Sequence, residues 1–155
     1  MIRNCLPAIA LVLLACPSMH GHTLADDVPP LFEALGDSIV KVGAATRVVD
    51  PWGPRRDEVP VEALTRLGSL LHAPVVHGLN KPVSCAWAPV DSTAVGMDAS
   101  VPEFRVWGDS ARVSVELFCA HRSMGRDIAF MKGITWMLVR TDGRWRVVLE
   151  MFSIT

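Results

Sequence analysis

Ile134-Thr135-Trp136-Met137-Leu138-Val139-Arg140-Thr141-Asp142-Gly143-Arg144-Trp145-Arg146-Val147-Val148-Leu149-Glu150-Met151 reads as a β-hairpin. Asp142-Gly143 suits a two-residue type I′ turn, in which both central residues need positive φ. Such a turn sets Leu138 opposite Val147, Trp136 opposite Leu149 and Ile134 opposite Met151. All six then share one apolar face. The other face carries Val139 against Arg146, Met137 against Val148 and Thr135 against Glu150, a mixed set. A one-residue slip would scramble this sorting, so turn and pattern specify the same register. The apolar six are expected to lie buried together under helices.

Working back along the chain, the period of 2 continues. Val113, Val115, Leu117 and Cys119 point to one face, with Arg112, Ser114 and Glu116 on the other, as in a sheet with one buried side. Gly108-Asp109 forms a second hairpin turn, placing Phe104 opposite Val113 and Val106 opposite Ala111. Val83, Cys85 and Trp87 alternate with Ser84 and Ala86, which predicts a further strand. The first half has helical spacing instead. Leu31, Leu35, Ile39 and Val42 predict a helix over 30–43, although Gly36 weakens it by about 1 kcal/mol. Pro60 suits the first position of a helix over 60–72, whose stripe is Val61, Leu64, Leu67 and Leu71. Arg47 to Asp50 reads as a short strand, ended by Asp50-Pro51-Trp52-Gly53-Pro54. Two helices followed by about four antiparallel strands make an α+β fold, with the helices packed on a curved sheet.

The chain resembles the NTF2-like (SnoaL-like, cystatin-like) superfamily of cone-shaped domains over residues 28–155. The likeness rests on the ending Leu138-Val139-Arg140-Thr141-Asp142-Gly143-Arg144-Trp145-Arg146-Val147, since an apolar strand, an Asp-Gly turn and a Trp-x-Val strand close many such domains. It also resembles small secreted bacterial proteins of unknown function with two cysteines. The resemblance implies a cone cavity, which in the family's dehydratases and isomerases holds an Asp–His acid–base pair. It carries no catalytic residue over to a position here.

The N-terminus directs the rest of the reading. Arg3, the apolar run Leu6 to Ala15, and Thr23-Leu24-Ala25 before Asp26-Asp27 have the order of a secretory signal peptide. Residues 1–25 are therefore expected to be removed, leaving 26–155 as a single domain in the bacterial periplasm or outside the cell. The alternative is Leu13-Leu14-Ala15-Cys16, similar to a lipoprotein box, which would tether the chain through a lipid on Cys16. Leu14 and Pro17 depart from that pattern. Removing Arg3 from a chain of 15 basic and 16 acidic residues leaves a net charge of about −2, with no basic stripe to hold nucleic acid. No later run has the ~20 apolar residues of a spanning helix.

In an oxidising compartment Cys85 and Cys119, both on the apolar parity of their strands, point to a buried disulfide. The rival is a pair of independent buried thiols. Cys119, His121 and Met124 share one loop as in blue-copper sites, with His72 or His77 as the missing ligand. A Cys119 held in a disulfide could not serve, and His72 and His77 match no zinc spacing. No metal and no cofactor is expected. Asp37, Asp91, Asp109 and Asp127 with His72, His77 and His121 supply acids and bases, yet no spacing pairs them. No nucleophile elbow or phosphate loop is present. Trp52, Arg55 and Arg56 form a candidate contact point, since Trp and Arg anchor interfaces; a Trp52 folded back onto the helices is the other reading. The expected role is non-catalytic binding or assembly with an envelope protein or small ligand. The alternative is an acid–base enzyme using a His/Asp pair in the cone.

Overall fold

The computed structural model describes residues 23–50, 59–77, 83, 85, 96–123 and 126–154, apart from the side chains of 120–131. Helix α1 (Leu24–Val40) begins six residues before the expected start. The Asp26 carboxylate accepts from the Thr23 N–H at 2.7 Å and from its hydroxyl at 2.9 Å. With Asp26 and Asp27 in the first turn, this end suits the helix dipole. Pro29 and Pro30 therefore lie inside the helix rather than at its start. Their missing N–H groups are offset by burial of Val28, Leu31, Phe32, Leu35 and Ile39 along one face.

Helix α2 (Val61–Leu71) has Pro60 as its N-cap, one position outside the expected place. His72 ends it in the left-handed conformation at φ 52°. Ala63, Leu64, Leu67 and Gly68 are the buried face. A Cβ at Gly68 would come 2.8 Å from Val75 Cγ2 and 2.9 Å from the Ala73 carbonyl oxygen. Glycine lets α2 sit this close to the strand that follows.

Among the described residues six strands form one sheet: β1 (Arg47–Val49), β2 (Val75–Val76), β3 (Asp98–Trp107), β4 (Ser110–Ser123), β5 (Arg126–Thr141) and β6 (Arg144–Ile154). Their order is β2-β1-β3-β4-β5-β6. The last four are the expected antiparallel meander, while β1 pairs parallel with both β2 and β3. The α+β class therefore holds, with a mixed sheet. Val83 and Cys85 are buried but lie in no strand, which corrects the alternating reading there; Trp87 lies outside the described residues.

The first hairpin has the expected register, with Phe104 opposite Val113 and Val106 opposite Ala111. The last one keeps it only near the turn. Asp142 at φ 52° and Gly143 at φ 74° form the turn, and Leu138 faces Val147. Between Met137 and Leu138 the pairing shifts, so Trp136 faces Glu150 and Ile134 faces Phe152. Val148 is the extra residue of this β-bulge. Leu149 and Met151 consequently change sides and are 49% and 40% exposed, against the expectation of burial. One physical gain from the shift is that the indole N–H of the fully buried Trp136 donates to Glu150 Oε2 at 3.2 Å.

The core lies between the helices and the sheet. Phe32 stacks on Phe104 with ring centroids 6.3 Å apart. Leu31, Leu35, Ile39 and Leu67 pack there with Leu117, Ile134, Trp136 and Leu138. Val83, Cys85 and Cys119 form a separate buried cluster.

Candidate functional site

The helix-facing side of the sheet is where the acid–base alternative would need its groups. Most positions there are apolar and packed. Arg140 reaches this side, with its guanidinium 5.1 Å from the centre of the Trp145 ring and its Nη1 4.0 Å from Asp27 Oδ1. Its Nε also donates to Asp109 Oδ1 at 2.9 Å, tying the β3–β4 turn to β5. Glu150 takes the Trp136 N–H and lies 3.7 Å from Lys41 Nζ. These charged groups thus hold α1, the first turn and β6 to one another.

A second polar knot closes the other end of β3. Asp98 is fully buried and accepts from Arg47 Nε at 2.7 Å, from Arg47 Nη2 at 3.1 Å and from the Val83 N–H at 3.2 Å. The hydrogen bond to Asp98 holds the Arg47 guanidinium above its ordinary pKa, against the opposing effect of burial. Beside it Cys85 and Cys119 are joined by a disulfide with their Cα atoms 5.2 Å apart. That bond answers the copper reading, because a disulfide sulfur is no thiolate ligand. It is compatible with an oxidising compartment.

The outer face, away from the helices, is read from the register. Across β3, β4, β5 and β6 one row is Arg105, Arg112, Met137 and Leu149; the next is Glu103, Ser114, Thr135 and Met151. A third holds Ser100, Glu116, Gly133 and Ser153. Arg112 Nε lies 3.0 Å and Arg105 Nε 3.4 Å from the Glu103 carboxylate, and Ser114 and Thr135 share a hydrogen bond of 2.8 Å. Leu149, Met151 and Trp107 remain exposed on this face, and Val148 is exposed at the bulge. Glu116 is half-buried, and desolvation raises its carboxyl pKa above the ordinary glutamate value.

Sequence-derived candidates are scattered. Asp37 is exposed on α1, His72 caps α2, His77 is exposed just after β2, and Asp109 pairs with Arg140. The backbones of His121 and Asp127 sit on β4 and β5, opposite Ile128 and Arg122, so the ladder does not make them direct partners. Trp52, Arg55, Arg56, Asp91 and Met124 lie outside the described residues. No group of three or more His, Cys, Asp or Glu that could hold a metal occurs among the described residues. Asp98, Glu116 and Glu150 had no sequence signal beyond lying among strand residues. Their roles come from register and burial.

Open clefts border α1 among the described residues. One, of about 510 Å³, is lined by Pro30, Glu33, Ala34, Gly143, Arg144 and Trp145. Another, of about 340 Å³, runs between α1 and α2 past Phe32, Glu33, Arg66 and Leu70. Among the described residues, no helix is long and apolar enough to cross a membrane.

With two helices on one face of a mixed six-stranded sheet, the molecule is an α+β protein. Comparison with protein-family models and with curated proteins gives no match. Among solved structures, one from Shewanella frigidimarina, described as a "putative ketosteroid isomerase", is similar at 19% identity and a TM-score of 0.28. The match covers 84% of this chain and 95% of that one.

Proposed function

We propose that this chain is an exported, NTF2-like bacterial envelope domain that works by contact rather than by turnover. The observation that carries the reading is the outer side of β6. Leu149 and Met151 stand exposed there, with Val148 at the bulge. Neighbouring exposed apolar side chains on a sheet face are what a partner surface needs. The helix-facing side is largely filled by this chain's own side chains, including Phe104, Trp136 and Leu138, and only Phe152 and Ile154 near the end of β6 stand exposed on it among the described β6 apolar residues. Trp52, Arg55 and Arg56 remain a second candidate contact, tested by its own substitution.

The test substitutes Leu149→Ser with Met151→Ser, Trp52→Ala, and His72, His77 and His121 singly to Gln. Site-specific cross-linking from β6 in living cells reads the contact. A contact role predicts that the β6 and Trp52 changes weaken the cross-link while the histidine changes do not. Loss of the cellular phenotype from one histidine change, with folding and export intact, would favour the acid–base enzyme.

Export should leave either Asp26 or a lipid-modified Cys16 at the N-terminus. The start of α1 favours the upstream choice. Cleavage after Ala25 would remove the Thr23 cap and Leu24, which packs against the core. N-terminal sequencing and intact mass of the exported protein distinguish the two outcomes.

A further inference from the structure

On the outer face, the row Ser100–Glu116–Gly133–Ser153 stands apart from its neighbours. Glu103, one row away, lies within ion-pair distance of Arg105 and Arg112. Glu116 has no hydrogen bond or ion pair among the described residues, although it is half-buried. Its cross-strand neighbour Ser100 is 1% exposed, and its hydroxyl has no partner either. Glycine at position 133 lets the side chains of β4 and β6 close in over β5. A Cβ there would come 2.8 Å from Ser153 Oγ and 3.3 Å from Glu116 Cγ. Side chains from both flanking strands therefore lean over Gly133. A half-buried carboxylate without a donor is costly, and the group that relieves it best is a cation bringing its own N–H donors.

We infer that this face docks a segment of a partner protein carrying an arginine or lysine beside apolar side chains, the cation on Glu116 and the apolar groups on Met137, Leu149 and Met151. The inference rests on the contact reading above and adds the chemistry of the partner. Charge complementarity selects the cation, and the exposed Met151 in the adjoining row and Leu149 in the row beyond it select its apolar neighbours. Burial acts in the same direction: an occupant's positive charge would restore the carboxylate that desolvation now disfavours.

The probe is n-butylguanidinium, which joins the cation to a short apolar chain, titrated into the exported protein. Methyl NMR of Met137 and Met151 follows it, with guanidinium and butanol as separate controls. The expected result is saturable shifts of both methyls, with affinity for Glu116→Gln roughly tenfold weaker, as for loss of one charged hydrogen bond. Equal affinity for the Gln variant, or no saturation in the wild-type protein, would overturn the inference. Sedimentation equilibrium supplies the other arm. Self-association abolished by Glu116→Gln would make the occupant a second copy, reading Arg146 as the cation, and would also overturn the partner assigned here. If Leu149→Ser with Met151→Ser abolishes the cellular cross-link and Glu116→Gln leaves it intact, the contact reading stands and the cation does not. Serine at position 149 or 151 replaces an exposed side chain, so these variants test contact without opening the core.

Discussion

At the scale of single residues, the largest energies sit on buried polar groups. Asp98 serves three donors from inside the protein, two of them on Arg47. Replacing Asp98 by Ala would remove the buried acceptor shared by two Arg47 N–H groups and the Val83 N–H. A loss of about 3–5 kcal/mol is expected, read by denaturant unfolding. Glu116 should act in the opposite sense. Its folded-state pKa is raised by desolvation, so the native state holds the proton more tightly than the unfolded chain. Its contribution therefore favours folding at low pH and is lost as pH rises from the unfolded value through the folded one. Ser100 on β3 and Gly133 on β5, its direct neighbours, carry no charge to offset this. Glu116→Gln is expected to raise the melting temperature at pH 7 and to leave it nearly unchanged at pH 4. A melting temperature lowered equally at both values would contradict the assignment.

At the scale of elements, the last hairpin separates local from nonlocal information. Asp142-Gly143 and the apolar alternation specify the turn and its first pairs. The bulge at Val148 depends on a partner well beyond the turn, where the indole of Trp136 needs an acceptor. Glu150 is that acceptor, and Glu150→Ala should cost about 1–3 kcal/mol because the indole N–H is left buried and unmet. Glu150→Gln, which keeps an acceptor, should recover most of the loss in thermal denaturation. The start of α1 teaches a similar lesson. Pro29 and Pro30 argue locally against helix, yet Thr23 with Asp26 begins it upstream and the packing of Val28 to Ile39 carries it through. The two-residue β2 has no pattern of its own. It exists because β1 offers it a backbone ladder and Gly68 lets α2 approach.

At the scale of the whole molecule, the disulfide joins Cys85, which lies in no helix or strand, to the long strand β4. Its closed loop spans a separation of 34 residues, so reduction should destabilise the fold by about 3–4 kcal/mol on the chain-entropy model. Unfolding with and without reductant measures this. Cys85→Ser with Cys119→Ser should behave like the reduced protein. Stability that does not respond to either change would mean the surrounding packing holds Cys85 in place by itself.

The sequence by itself determined the α+β class, the existence of both helices and the bounds of the second, the first hairpin, the turn of the second and the pairing of the two cysteines. These follow from signals repeated at short range: apolar period, capping residues and turn chemistry. It did not reveal the parallel joining of β1 to β2 and β3, the bulge, or the partners of Asp98, Glu116 and Glu150. Those depend on which distant groups meet and which of them lose their water. The same division applies to function. Isolated histidines and a loop Trp were legible as residue types, whereas the exposed side of β6 emerged only when one inserted residue turned Leu149 and Met151 away from the core. A periodic pattern records which residues prefer burial, but the tertiary structure decides whether a buried polar group can be satisfied with that pattern intact.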